Sequence, residues 1–566
     1  MPKRSADRLA TLRADLIAGA TTAVLLVPQA MAYALLAGLP PQLGLYAACV
    51  PLLAYAALGT SPRSSIGPVA LDSLLLAAAV TPLARASGAD RVELALLLTF
   101  LVGVVQLLLG LARLGFVANF LSRPVLGGFT SAAALLIGSS QLGPLSGISL
   151  PNGRLDQVLG ALVLRVGDLH WPSLALGLPA WLALRWLGRR WPSWPISLGV
   201  VVTATAVAAL LHLDRQGVAL VGAVPAGLPR LGSPLGRLEL WRELLPAAVS
   251  IALVSFVETL SVGRRLARGA EVSANRELLA VGAANVASSC FGGYVVAGGL
   301  SRSVVHARAG ARTRAAGLIS AVFVALSLAF FTSSFHYLPK AVLAALVLNA
   351  LTSLVDVAQA RRLWLVQRSE FWLFLLSFVA TLALGAQLGL GLGVGASLLW
   401  FLIRTTRPHV AVLGRLPGTE SYRNVQRFPD AERREDLLIL RVDAQFYFGN
   451  VTFLKRSLDE LRRERPRLRA IILDASGINQ LDSSALDALL EIDQQLGALG
   501  LRLLFAEVKG PVRDVLERSG WLARLRSERR IFLRVHEAVT SLTAAPEPEH
   551  LAAQDRSAAG CVGELA

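Results

Sequence analysis

Apolar runs separated by short polar breaks fill the chain up to about residue 407, and a finer alternation follows to the end. Runs such as 16–39 and 92–111 carry at most one charge. A bilayer core needs roughly 20 apolar residues per helix, so the pattern predicts about fourteen transmembrane segments. Two segments break it. Ser61-Pro62-Arg63-Ser64-Ser65-Ile66-Gly67-Pro68-Val69-Ala70 precedes an apolar run that ends by Val80, and the glycine-rich stretch 292–303 precedes another. Each predicts irregular backbone leading into a helix too short for a complete crossing. Such backbone survives at membrane depth only where protein or a water-filled cavity satisfies its polar groups. Paired breaks in the two halves of a chain point to a transporter's binding site.

The halves correspond more widely. Pro28-Gln29 lies mid-segment in the first span and Val257-Glu258 in the eighth, each about 14 to 15 residues after an acidic residue, Asp15 or Glu243, at the segment start. The first seven spans begin on one side and the second seven on the other. The repeat is therefore inverted, and the third and tenth segments approach the midplane from opposite sides. Beyond Pro408 the pattern is that of a small α/β domain, with strands predicted at 437–442, 470–474 and 501–507 and helices at 450–464 and 483–499. Residues 542–566 are rich in Ala, Pro, Glu and Ser, a composition of disorder.

Composition strengthens the membrane reading. The 566 residues are 54% hydrophobic and 16% charged, with a mean hydropathy of +0.57, beyond what a soluble globular chain shows. The net charge of +17 comes from short arginine clusters between apolar segments, not from one basic face, which argues against a nucleic-acid partner. The clusters fall in alternate loops, and the positive-inside rule then places both termini in the cytoplasm of a multi-pass plasma (inner) membrane protein. Three cysteines give no disulfide framework: Cys49 and Cys290 lie in apolar segments and Cys561 in the tail. The first apolar run is too long for a signal peptide, and Cys49 is too deep for a lipoprotein cleavage box.

The candidate chemistry concerns anions. A helix N-terminus offers free N–H groups and a partial positive charge, so short helices starting near Val69 and Ser301 can hold one small anion between them. Arg302, in the first turn of the second short helix, either lines that pathway or snorkels to the cytoplasmic surface. Ser301 and Ser303 either donate to the anion or cap the helix. Glu258 sits in the apolar run LLPAAVSIALVSFVETLSV, where a carboxylate costs several kcal/mol unless protonated or paired. It is read either as a proton-coupling group or as the static partner of Arg302 or Arg264. Asp72, a second intramembrane acid, caps, couples or pairs. The motif GLGLGVG near 389–395 reads as close helix packing.

Longer motifs carry a family resemblance. VPQAMAYALLAGLPPQLGLYAA resembles the first-helix motif of the sulfate permease (SulP) family, whose animal members include prestin and pendrin. FLSRPVLGGFTSAAALLIGSSQL resembles its fifth helix, and ETLSVGRRLARGAEVSANRELLAVGAANVASSCFGGYVVAGGLSRS its eighth to tenth. IILDASGINQLDSSALDALLEI resembles a STAS domain. The resemblance implies a polytopic α-helical, uracil-permease-like membrane domain over 14–407 after a cytoplasmic segment 1–13. Its 7+7 inverted repeats would lie at about 14–213 and 243–406. It also implies a cytoplasmic STAS domain over 408–541, a homodimer, and an elevator-like motion of segments 1, 3, 8 and 10 against a gate.

Carried over residue by residue, the resemblance implies an anion site of Gln29, Tyr33, the backbone around Val69 and Ala70, and Gly299 and Leu300 with Ser301 and Arg302. Glu258 matches the family's cation-coupling acid, and Glu rather than Asp there favours protons over sodium. Asp72 matches no family signature. In related anti-sigma-factor antagonists a serine at the STAS helix start is phosphorylated, which makes Ser483 and Ser484 regulatory candidates; the alternative is that Asp482 and Ser483 only cap the helix.

The function expected is secondary active transport of a small inorganic oxyanion, sulfate by proton symport, with no enzyme activity, metal or cofactor. The STAS domain would dimerise the protein or bind a cytoplasmic partner. Alternatives are a bicarbonate or fumarate-like dicarboxylate transporter coupled to sodium or protons, an anion exchanger or channel, and a signalling protein whose membrane part is only an anchor.

Overall fold

The computed structural model describes residues 2–543 apart from 121, 152–154, 192–193, 237, 268–270 and 353. The chain divides into two compact units, Met1–Leu398 and Leu399–Ala566. The first half of the membrane unit contains α1 (Pro2–Leu36), α2 (Pro41–Ala47), α3 (Val50–Leu58), β1 (Ile66–Gly67), α4 (Ala70–Ser87), α5 (Arg91–Leu111), α6 (Arg123–Ser146), α7 (Leu155–Leu164), α8 (Trp171–Arg190) and α9 (Ile196–Leu210). The second half contains α10 (Trp241–Leu266), α11 (Ala274–Cys290), β2 (Ala297–Gly298), α12 (Leu300–Arg308), α13 (Ala315–Phe330), α14 (Lys340–Leu351), α15 (Val357–Val366), α16 (Arg368–Leu384) and α17 (Ala386–Thr406). Both halves place a two-residue strand and a helix after the second long segment. That common order is the repeat expected from the paired breaks.

Among the described residues, seven helices are long and apolar enough to cross a membrane, including Arg8–Leu36, Arg91–Leu111 and Trp241–Leu266. The helices Ile196–Leu210, Ala315–Phe330 and Lys340–Leu351 are apolar but shorter. Residues 2–13, expected as a separate cytoplasmic segment, form the first turns of α1 without a break. The first of the two short helices also runs longer than its apolar pattern: α4 continues past Val80 and through Pro82 to a left-handed glycine at Gly88. A proline removes one ladder bond without ending a helix whose neighbours hold it. The second short helix, α12, is nine residues long, as its pattern predicts.

Small residues bring the helices together. In the glycine run of α17, a Cβ on Gly389 would come within 2.3 Å of the Thr381 Cα, and one on Gly393 within 2.7 Å of the Ser377 Oγ, while Gly391 and Gly395 face open space. The alternate pair spaced four residues apart thus seats α17 on α16, the packing that small residues allow in lipid.

The second unit has a six-stranded sheet of β3 (Val410–Arg415), β4 (Tyr422–Asn424), β5 (Leu437–Val442), β6 (Ala470–Asp474), β7 (Arg502–Ala506) and β8 (Ile531–Phe532). Their order is β4-β3-β5-β6-β7-β8. The pairs β5–β6, β6–β7 and β7–β8 are parallel, while β3 runs antiparallel to β4 and β5. Its helices are α18 (Val451–Arg463), α19 (Ser483–Ala498), α20 (Gly510–Arg518), α21 (Trp521–Ser527) and α22 (Val535–Thr543). Alternate strand residues face opposite ways. Leu438, Leu440, Ile471 and Leu473 pack with Leu489 of α19 and Leu525 of α21, and Ile439, Ile472 and Leu504 with Ala538 of α22. A parallel sheet covered on both faces reads as continuous apolar strands, which is how 437–442 and 470–474 were legible. α22 reaches Thr543, so residues 542 and 543 close a helix; the rest of the expected disordered tail lies outside the described residues.

Candidate functional site

Gly67-Pro68 and Gly298-Gly299 stop the chain from continuing as helix, since proline lacks the N–H and glycine loses the most conformational entropy when fixed in a helix. The stretches pair instead. Ile66 lies opposite Gly298 and Gly67 opposite Ala297 in an antiparallel ladder, so backbone groups exposed by one break are satisfied by the other. Each strand then turns directly into a helix, with Val69 and Gly299 as N-caps in extended conformations. Neither N-terminus has a side-chain cap. The first-turn N–H groups of α4 and α12 therefore remain available as donors, the arrangement that makes a helix end an anion site.

Arg302 is 1% exposed and points into this crossing. Its Nη1 donates to the Pro68 carbonyl at 3.1 Å, its Nη2 to the carbonyls of Ser65 at 3.3 Å and Ala297 at 3.4 Å, and its Nε to that of Ser65 at 3.4 Å. Snorkelling does not describe it. The guanidinium pins both strands from one side chain and places a full positive charge behind the two helix ends. Cβ atoms on Gly67 or Gly299 would sit 3.2 or 3.0 Å from its Nη2, so glycine at both positions makes room for the fork. Ser303, a candidate anion donor, is buried and accepts from the Ser65 N–H at 2.9 Å. By contrast Leu300 and Ser301 are exposed and Val69 is half-buried, so these, with the buried Ala70 and Gly299, form the open lip of the crossing.

Gln29 and Tyr33 are buried one helical turn apart on α1, and Tyr33 lies within electrostatic reach of both Arg302 and Glu258. Glu258 is on α10, one residue before Thr259, whose Oγ1 accepts from the Gly298 N–H at 2.8 Å. The acid is thereby fixed beside β2. Its Oε2 is buried without a hydrogen-bond partner, and among the described residues it forms no ion pair. The alternative of a static pair with Arg302 or Arg264 is not what the structure contains. Asp72, in the first turn of α4, is 0% exposed, has no hydrogen-bond partner on either oxygen among the described residues, and interacts electrostatically with Glu258.

Several supporting groups were not singled out from the sequence. Asn285 of α11 accepts from the Val296 N–H at 2.9 Å and donates to the Val296 carbonyl at 3.2 Å and to the Gln106 Oε1 at 3.0 Å. Gln106 in turn donates to the Ser255 Oγ at 2.7 Å. This chain holds β2 against α5, α10 and α11. Polar residues scattered singly in apolar helices were its only sequence signal. Another buried acid, Glu277, accepts from the Tyr55 hydroxyl and the Thr60 N–H, both at 2.9 Å, and from the Thr60 hydroxyl. It is fully satisfied and structural, unlike Asp72 and Glu258. The proposed correspondence of Asp15 with Glu243 is one of position only: Asp15 is buried and accepts from the Arg312 and Thr313 N–H groups at 2.7 and 3.1 Å, while Glu243 is exposed.

In the second unit Asp482 caps α19, accepting from the Ala485 N–H at 2.8 Å and also from the Phe448 N–H at 2.9 Å. Ser483 does not share the capping; it and Ser484 are exposed on the first turn. Among the described residues no group of three or more His, Cys, Asp or Glu side chains is placed to hold a metal ion.

Residues 12–377 match the sulfate permease family, and residues 428–538 match the STAS domain. Sulfate transporter 4.1 of the Arabidopsis thaliana chloroplast is 35% identical over 93% of this chain and 79% of its own length. A probable sulfate transporter of Mycobacterium tuberculosis is 37% identical over 93% of this chain and 95% of its own. The murine solute carrier 26 family member A9 anion transporter, solved in an inward-facing state, superposes with a TM-score of 0.85 at 26% identity, covering 94% of this chain and 91% of that one. The transmembrane domain of a cyanobacterial bicarbonate transporter superposes with a TM-score of 0.59 at 25% identity, covering 68% of this chain and 98% of that one. The broken, strand-paired helices and the α/β unit that follows them thus have one origin: the chain is a multi-pass membrane transporter of the sulfate permease family with a C-terminal STAS domain.

Proposed function

We propose that the protein carries sulfate across the plasma (inner) membrane by proton symport. The observation that carries this reading is the pair of uncapped helix N-termini joined by β1 and β2, with Arg302 behind them and an unpaired acid, Glu258, beside them. In this reading the first-turn N–H groups of Ala70 and Ser301 bind the sulfate oxygens, Gln29 and Tyr33 close the site from α1, and Val69, Gly299 and Leu300 shape its lip. Arg302 acts through its field and by holding the crossing, because its donors are spent on carbonyls. Relatives named as sulfate transporters over nearly the whole chain support the choice of anion.

Coupling follows from charge. A carboxylate at Glu258 repels an arriving dianion at close range in a medium of low dielectric, whereas a protonated Glu258 does not. Loading of the proton and of sulfate therefore favour one another, and each leaves when the other does. The basic clusters in alternate loops support a cytoplasmic position for both termini, so the STAS domain would lie there, and the family resemblance supports a homodimer made through it and the last helices.

The test is uptake into liposomes. Purified protein should concentrate labelled sulfate when the outside is made acidic, and unlabelled bicarbonate or fumarate should compete weakly. Sodium-driven uptake, or stronger competition by either rival anion, would replace the proposal with that alternative.

A further inference from the structure

We propose that Asp72 is a second proton-binding group, and that the protein carries two protons with each sulfate. The inference rests on the symport reading above and concerns its stoichiometry. Asp72 is the third residue of α4, within one turn of the anion-binding N-terminus. An acid there ordinarily accepts from the free N–H groups of its own first turn. Asp72 does not: both carboxylate oxygens are buried and neither has a hydrogen-bond partner among the described residues. The first-turn donors are left for the anion, and the carboxylate faces inward to protein.

The groups around it offer little compensation. The helices packed against α4 are α1, α5, α6 and α10. From α10 comes Glu258, a like charge, while Tyr33 of α1 interacts with Glu258 and Arg302. The chain before β2 brings Tyr294, whose hydroxyl lies 3.3 Å from the Ser73 Oγ and within electrostatic reach of Asp72. The titratable residues of α5, Arg91 and Glu93, and of α6, Arg123, lie at the ends of those helices. Among the described residues the guanidinium bonded to the carbonyls of the crossing is that of Arg302.

Charge balance then decides the number of protons. Arg302 contributes one positive charge, and two helix N-termini contribute roughly half a charge each. Together these match the two negative charges of sulfate and leave nothing to offset either carboxylate. With Asp72 ionised, the loaded site carries an uncompensated buried negative charge, which is strongly unfavourable at membrane depth, and with the half-buried Glu258 ionised a like charge stands beside the dianion. The loaded state therefore has both acids neutral, one proton on Asp72 and one on Glu258, and both protons are released when sulfate leaves on the cytoplasmic side. No bond other than the two O–H bonds forms or breaks.

The experiment is a static-head measurement on the full-length protein in liposomes, with the membrane potential clamped at zero and labelled sulfate as the probe. Two protons per sulfate give a limiting accumulation that rises about a hundredfold per unit of imposed pH difference; one proton gives about tenfold. The wild type is expected to follow the steeper law and Asp72→Asn the shallower one, with Asp72→Glu restoring the steeper slope. A tenfold law in the wild type overturns the proposal without reference to any variant, so a misfolded mutant cannot protect it. A hundredfold law unchanged in Asp72→Asn assigns the second proton elsewhere and also overturns it. Absence of any pH-driven accumulation by the wild type, or accumulation driven by sodium at equal pH, removes the symport reading itself, an outcome distinct from the other two.

Discussion

Arg302 shows how one side chain can decide whether an irregular membrane segment is stable. Four contacts to the carbonyls of Ser65, Pro68 and Ala297 need a planar fork, and a lysine ammonium cannot reach all three carbonyls at once. Arg302→Lys should leave at least one buried carbonyl unpaired at a cost of about 1–3 kcal/mol. The melting temperature in detergent should fall and sulfate affinity should weaken, although the charge is kept. If both stay at wild-type values, the pinning role is wrong. Glu258 poses the complementary case, a charge with no partner. Glu258→Gln should lower pH-driven accumulation of labelled sulfate from about a hundredfold to about tenfold per pH unit while sulfate–sulfate exchange continues, because the amide is permanently neutral and only the Asp72 proton is left to couple. A hundredfold law unchanged by the substitution would remove Glu258 from the coupling machinery.

At the scale of elements, the two breaks were legible because Gly67-Pro68 and Gly298-Gly299 are incompatible with continuous helix, and their spacing from the preceding spans matches in the two halves. What could not be read was the partner of each break. That β1 pairs with β2 across more than 200 residues of sequence, and that Asn285, Gln106 and Thr259 support β2, depends on tertiary packing that hydropathy does not encode. The run-on of α4 through Pro82 was missed for the same reason, since neighbouring helices, not local propensity, keep it helical. The STAS strands at 437–442 and 470–474 match the sequence reading because buried parallel strands announce themselves as apolar runs. The edge strand β4 and the short β8 carry no such signal. One cap is open to a direct check. Asp482→Ala removes the acceptor for two N–H groups and should cost the α19 start about 1–2 kcal/mol. Hydrogen exchange of the full-length protein should then quicken at the Ala485 and Phe448 amides and leave β6 unchanged; unaltered exchange at those amides would show that Asp482 is not the stabilising cap.

For the whole molecule, family and fold follow from the match of 12–377 and 428–538 and from the superposition on an anion transporter of the same architecture. The proposed proton coupling rests on the crossing of α4 and α12, where two helix ends and one arginine meet two unpaired acids, and the proposed choice of sulfate rests on the relatives named as sulfate transporters. Backbone N–H groups bind any small oxyanion, so the sequence alone left sulfate and bicarbonate open. Two intramembrane acids without partners argue against passive conduction, which requires no such groups. The most direct test is labelled sulfate uptake by reconstituted liposomes at zero membrane potential, comparing an inward proton gradient, an inward sodium gradient and no gradient. Concentrative uptake is expected under the proton gradient alone. Equal uptake under all three conditions, falling to simple equilibration, would contradict it.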